Sequence, residues 1–283
     1  MSDNKNIEPI LMDGITDYHV HCDYSFDAKG TIEEYCEAAL KRNLAEICFT
    51  THFDSNPNGD GTDNFIRINN EMVPTTIENL APYVEHVQKA SDTYFSRGLS
   101  IKLGVEFGWY PNAEEKAAKL KEAYPFDYFL CGIHEIDDVC FCCRARFEEC
   151  FTRVSLEKTL EKYFEQVKAA SDSKLFDTIA HLCYYLKYGI GYYGDKILEA
   201  HDQFFDDLFK TLIKNDTQLE VNTSAIRHGH SFYYPPVDIV NRAKKAGVMI
   251  FHTGSDAHHP TQIGLDFEKA TSLIPSSIRV CED

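Results

Sequence analysis

The chain repeatedly ends a short apolar run on a side chain able to bind a metal. These runs stop at His19 and His21, with Asp27 just beyond, then at His52, Glu106, His134, His181 and Asn222, and finally at Asp256 with His258. Imidazoles suit zinc, iron or manganese, and a carboxylate can bridge two cations where an imidazole cannot. Residues two apart on a strand point to one face, so His19 and His21 can reach the same ion. Asp256 and His258 repeat that spacing near the other end of the chain. An acid closing the apolar pair Gly104-Val105 is costly unless paired or coordinated, which makes Glu106 the expected bridging ligand. His252 and His259 adjoin the last segment but point away from it on an extended chain.

Positioning such residues requires strands. Short apolar runs predict strands over 15–20, 46–50, 100–105, 128–133, 177–180, 218–221 and 248–253. Between them, helical periodicity predicts helices over 31–42, 77–97, 113–123, 155–170, 196–214 and 237–246. Thr31 and Glu34 form a capping-box pattern at the first helix, and Gly247 is placed as a C-cap after the last. Strands alternating with helices predict a parallel sheet, and seven such units close into a barrel more easily than they lie open. In a barrel the carboxyl ends of the strands share one face, so ligands scattered along the chain converge there. Each candidate lies at or just past a strand's end.

Composition sets the remaining bounds. The 283 residues are 43% hydrophobic, and no repeat, low-complexity tract or linker divides them, so one α/β domain spanning 1–283 is expected. A net charge of -17 argues against nucleic acid or an anionic membrane as partner, since both recruit clusters of Lys and Arg. A small anionic substrate stays compatible with that charge, because bound divalent cations reverse the local sign. Ten cysteines are too sparse for a disulfide scaffold, and the opening MSDNKNIEPILMDG has neither a basic nor an apolar targeting region, so a cytoplasmic location is expected. Cys140, Cys142, Cys143 and Cys150 crowd one loop but lack the paired spacing of a zinc site.

His19-Val20-His21, Thr51-His52, the Gly-Val-Glu at 104–106, the Gly-Ile-His at 132–134, Ala180-His181 and the Gly-Ser-Asp-Ala-His at 254–258 resemble, in order, the motifs of the PHP (polymerase and histidinol phosphatase) family. The resemblance runs from about position 15 to 270. It implies a distorted (β/α)7 TIM-like barrel holding two or three divalent metal ions, Zn, Mn or Fe. Carried over by position, His19, His21, Glu106 and Asp256 hold the first ion, Glu106, His134 and His181 the second, and Asp27, His52 and His258 the third. Many members carry a histidine where Asp27 stands, so the third set has an oxygen in place of an imidazole. Lys187 and Arg227, in loops on the metal face, resemble the basic residues that grip phosphate in the monofunctional histidinol phosphatases.

The chemistry expected of such a cluster is hydrolysis of a small phosphate monoester, most specifically L-histidinol phosphate to L-histidinol and phosphate in histidine biosynthesis. Two cations acidify a bridging water, whose hydroxide attacks phosphorus while Glu106 and Asp256 hold the ions and His258 assists the leaving alkoxide. Asp54, Asp60 and Asp63 are acids available to a substrate ammonium group, and His228 and His230 are placed near the entrance. A PHP phosphoesterase acting on nucleotides or oligonucleotides is a rival reading that wants a basic track, and no Arg/Lys run provides one. An amidohydrolase-type deaminase, which also opens with His-x-His, would want its bridging group near mid-chain and an Asp on an eighth strand without the following His. A regulatory metal-binding module without turnover is the reading from outside enzymology.

Overall fold

The computed structural model describes residues 14–59 and 61–274; Asp60 and the N-terminal stretch read for targeting signals lie outside the described residues. The predicted alternation is present. We label the barrel strands β1 (Ile15–Val20), β2 (Leu44–Phe49), β3 (Ser100–Gly108), β4 (Tyr128–Gly132), β5 (Thr178–Ile179), β6 (Gln218–Leu219) and β7 (Thr253–Gly254).

β1 to β6 pair in chain order in one curled parallel sheet. The pair His52–Phe53 continues the edge of β2 after an interruption, setting His52 opposite Glu106 in the register that aligned Phe49 with Leu103. Beyond β6 the chain re-pairs as Val221–Asn222 with β7. Asp256 N then donates to His19 O (2.8 Å) and His21 N to Ala257 O (2.9 Å), which brings the last strand back beside the first. The result is a distorted barrel whose closing ladders are short and irregular, and the carboxyl ends of β1 and β7 meet there.

Helices cover the outside because each hides one apolar face. Ile32–Lys41 buries Ile32, Tyr35, Cys36 and Ala39, and its first turn carries the expected reciprocal cap: Thr31 Oγ1 accepts from Glu34 N (3.3 Å) while Glu34 Oε2 accepts from Thr31 N (2.9 Å). Val237–Ala246 ends at Gly247 with φ of 102°, a left-handed conformation that favours glycine. Phe49, Phe107 and Phe129 are fully buried in a core continuous with these helices, each contributing roughly 1.5–3 kcal/mol on burial.

Several expected spans shorten or split, that over 177–180 to Thr178–Ile179 and that over 77–97 to a tight turn at Glu78–Leu80 and a helix over Ala81–Phe95, and two change more. The span 196–214 is not one helix but Lys196–Ala200, a tight turn at Asp202–Phe204, and Phe205–Lys214. The break falls at His201, whose buried ring lies 2.9 Å from the Tyr185 hydroxyl. The strand expected over 248–253 shortens to β7, although Leu219 N still donates to Met249 O and Val221 N to His252 O along its path.

Candidate metal centre

His19 and His21 leave β1 on the same side and are wholly buried. Glu106, near the end of β3 and equally buried, stands between them and the later imidazoles. Its Oε2 lies 3.2 Å from His19 Nε2, 3.4 Å from His21 Nε2 and 3.1 Å from His52 Nδ1. Its Oε1 lies 2.6 Å from His181 Nε2 and 3.2 Å from His134 Nε2. Asp256 Oδ1 closes the first side at 3.2 Å from His21 Nε2 and 3.7 Å from His19 Nε2. At the mouth, His258 Nε2 is 3.2 Å from Asp27 Oδ2 and 3.3 Å from His52 Nε2.

Every ligand expected from the sequence is therefore drawn to one place. Four overlapping trios have donor atoms within 4.8 Å of one another and could each hold an ion: His19, His21 and Asp256; His19, Glu106 and His181; His21, His52 and His258; and His52, Asp54 and His134.

Charge and hydrogen bonding both suit cations. Burial pushes the Glu106 carboxyl upward, but the rings of His19, His134, His52 and His181 outweigh it and hold Glu106 well below the carboxylate range. Asp256 is likewise held low against its burial, by His19, His21 and His258. His21 goes the other way: burial and the neighbouring rings of His52 and His258 keep it well below the usual histidine range. His19 Nε2, His21 Nε2, His52 Nδ1 and Glu106 Oε2 are buried without a hydrogen-bond partner. Leaving such atoms bare costs about 1–3 kcal/mol each, which coordination removes. The donor set of imidazoles and carboxylates fits Zn, Mn or Fe.

Several supporting residues escaped the sequence reading. Ser25 Oγ sits 3.2 Å from His21 Nδ1, accepts from His52 N at 3.2 Å and contacts Thr51 Oγ1 at 2.8 Å. Asp54, expected among the acids available to a substrate ammonium group, instead holds His134 Nδ1 at 3.1 Å. Glu220, 2% exposed, meets His19 Nδ1 at 2.9 Å. Asn222 turns its amide to Glu220 (3.1 Å) rather than to the cluster. His252 stacks on Tyr18 at 3.7 Å, and His259 Nδ1 accepts from Thr261 N, so both stay outside the cluster as expected.

The cluster floors a cavity of about 220 Å³ whose upper wall includes Asp63, Arg144, Tyr184, Lys187 and Tyr188. Lys187 Nζ donates to the Tyr184 hydroxyl at 3.1 Å. Arg227 stands behind the wall: one Nη2–H bond goes to Asp256 O (2.8 Å), while Nη1 is buried and unpartnered. His228 lies 3.3 Å from the Tyr234 hydroxyl and His230 3.2 Å from Lys187 O, so both back this wall. A second cavity of about 330 Å³ lies among strand starts near Tyr18, Tyr128 and His252, the end of a barrel that carries stability rather than chemistry.

The model of the PHP domain matches residues 17–224. The chain belongs to the PHP family. The match takes in His19 to His181, while Asp256 and His258 join from beyond it through the closing strand. Among relatives, a "Probable histidinol-phosphatase" of Deinococcus radiodurans is 28% identical over 263 residues, covering 93% of this chain and 94% of that protein. The Histidinol-phosphatase of Lactococcus lactis is 24% identical over 262 residues, covering 91% of this chain and 89% of the other. The crystal structure of histidinol phosphate phosphatase from Lactococcus lactis, complexed with zinc, L-histidinol and phosphate, superposes with a TM-score of 0.73 at 19% identity and covers 92% of each chain. A structure from Listeria monocytogenes superposes with a TM-score of 0.74 at 18% identity, covering 90% of this chain and 99% of that one. These likenesses establish the distorted TIM-type barrel of the PHP histidinol phosphatases as the fold of this chain.

Proposed function

We propose that this PHP protein is a metal-dependent phosphomonoesterase that hydrolyses L-histidinol phosphate to L-histidinol and phosphate. The observation that carries the reading is Glu106, a buried carboxylate with His19, His21 and His52 on one oxygen and His134 and His181 on the other. Its two oxygens face two separate groups of donors, the arrangement a pair of bridged cations needs. His19, His21, Glu106 and Asp256 would hold one ion, Glu106, His134 and His181 a second, and Asp27, His52 and His258 a third. When bound, such ions neutralise phosphoryl oxygens and acidify a water at neutral pH.

The chain's own residues supply orientation. His258 Nδ1 stands 3.0 Å from Asp256 O, which turns Nε2 toward Asp27 and His52, the donors with which it would hold the third ion on the leaving-oxygen side of the site. Lys187, steadied by Tyr184, brings a cation to the wall opposite and is placed to take a phosphate oxygen. Asp63 faces the same cavity and is placed to take a substrate ammonium, whereas Asp54 is committed to His134. The whole chain would act as one catalytic domain. Its charge of -17 supports a small substrate over nucleic acid, and a cytosolic setting accords with both that substrate and the free thiols lining the cavity. Among the described residues no helix is long and apolar enough to cross a membrane.

A panel of phosphate monoesters, each assayed with Mn, Zn, Fe and Co, tests the proposal. Histidinol phosphate should be turned over with a kcat/KM at least tenfold above the others. Equal turnover of unrelated esters removes that substrate. Ammonia released from nucleobases without phosphate from esters moves the reaction to the deaminases.

A further inference from the structure

We infer that Glu220 is a positioning residue that presets two metal ligands at once, the ring of His19 and the backbone of His181, an inference that rests on the metal site proposed above. Glu220 lies between β6 and Val221–Asn222, buried, with both oxygens directed to the cluster's outer side. Oε1 is 2.9 Å from His19 Nδ1. Oε2 accepts from His181 N at 2.8 Å and from Asn222 Nδ2 at 3.1 Å. Asn222 is itself fixed, its Oδ1 accepting from Ser224 N (3.0 Å) and Ser224 Oγ (2.6 Å).

An ionised carboxylate only accepts, so the proton of a neutral His19 ring must sit on Nδ1. The lone pair is then on Nε2, the buried unpartnered atom that faces Glu106 and Asp256. Glu220 thereby selects the ligating tautomer. At the other oxygen the effect is on backbone. His181 has φ of 30°, a region that residues with a side chain seldom occupy. Its N–H is held by Glu220, and in that conformation Nε2 comes within 2.6 Å of Glu106 Oε1. Ligands from β1 and from the end of β5 are thus set by one carboxylate. The space it needs is cleared at Gly254, where a Cβ would lie 1.7 Å from Glu220 Oε1.

Glu220→Gln separates this role from simple packing. A glutamine amide has one accepting oxygen. If it stays on His181 N–H, the NH2 faces His19 Nδ1 and drives the proton to Nε2, closing the ligating nitrogen; if it flips, His181 N–H loses its acceptor. The full chain, stripped with a chelator and titrated with Zn, should bind about 10- to 100-fold more weakly in the variant, with an unchanged far-ultraviolet dichroism spectrum. Long-range 15N–1H correlation on the zinc-loaded protein, with the His19 signals assigned by their loss in His19→Gln, should show an Nδ1–H ring in the wild type. An Nε2–H ring there overturns the inference whether or not the variant folds. So does a folded Glu220→Gln protein with wild-type zinc affinity. Wild-type protein that binds no zinc instead overturns the metal site itself.

Discussion

Asp54 Oδ1 lies 3.1 Å from His134 Nδ1, on the side of the ring away from Glu106, which meets Nε2 at 3.2 Å. The loop after His52–Phe53 thus reaches across to orient an imidazole delivered by β4, and Gly108 leaves the room, since a Cβ there would fall 1.8 Å from Asp54 Oδ1. A carboxylate behind a ligating histidine fixes the ring and raises its basicity, an effect worth about 10- to 100-fold in metal affinity. Asp54→Ala should weaken zinc binding by that amount in competition with a fluorescent chelator. Asp54→Asn, which can still accept from Nδ1–H, should fall between. Wild-type affinity in Asp54→Ala would show that the contact does not support the metal.

Glu106→Gln keeps shape and volume but removes the charge shared by the surrounding rings. No core volume is lost, so the cavity penalty of a truncation does not arise. Phosphatase activity should drop below detection and metal content, read by mass spectrometry, should fall, while the dichroism spectrum stays that of the wild type. A variant that retains full activity would place the bridging charge on another residue.

Removing metal should also cost stability. The rings of His21 and His52 stack at 4.1 Å and those of His21 and His258 lie 4.2 Å apart, an arrangement of crowded donors that a cation reconciles. A ligand present at a hundredfold its Kd stabilises the folded state by about 2.7 kcal/mol. At roughly 2–4 °C per kcal/mol for a chain of this order, chelation should lower Tm by about 5–10 °C, with recovery on adding Zn or Mn. A Tm indifferent to chelator would mean that the donors are not bridged by an ion.

What could be read from the sequence follows from where the physics is local. β1, with its paired histidines, and the capped helix Ile32–Lys41 declare themselves over a few residues, and most candidate ligands stand out because they lie at or just past a strand's end, whereas their division into three metal sets comes from the family resemblance. Leu186–Tyr193 gives no such signal: Gly189 and Gly191 lower its intrinsic helix propensity, and tertiary packing of Gly189 near Ile197 decides the matter. The hairpin Phe65–Ile68 with Glu71–Pro74 turns on Asn69 and Asn70, both at positive φ, a turn signature that the adjacent asparagines do carry locally. Glu220 is the instructive omission. The cost of an acid in an apolar run singles out Glu106, and it applies equally to the acid between Leu219 and Val221. What the sequence could not supply is the partner, because His19 and His181 come near only once the barrel closes.

Lys187 and Arg227 resemble the same phosphate-gripping pair in sequence, yet they occupy different places in the structure. Lys187 lines the cavity, held to the Tyr184 hydroxyl with its ammonium 4.9 Å from that ring's centroid, so it is the one of the two proposed to meet substrate directly. Its loss removes a charge that bound ester and transition state feel alike. Lys187→Ala should therefore raise KM for the phosphate ester with a smaller effect on kcat. Arg227 spends a nitrogen on the carbonyl of Asp256, whose carboxylate is a proposed ligand, and leaves the buried Nη1 free to turn toward an anion. Truncating it should loosen Asp256 as well as phosphate, so Arg227→Ala should lower kcat and metal content together, beyond any rise in KM. Steady-state kinetics at saturating metal, paired with metal analysis of the same preparations, separates the two. A pure KM effect in Arg227→Ala would make it a substrate contact like Lys187, and an unchanged KM in Lys187→Ala would move phosphate recognition to Arg144 on the same wall.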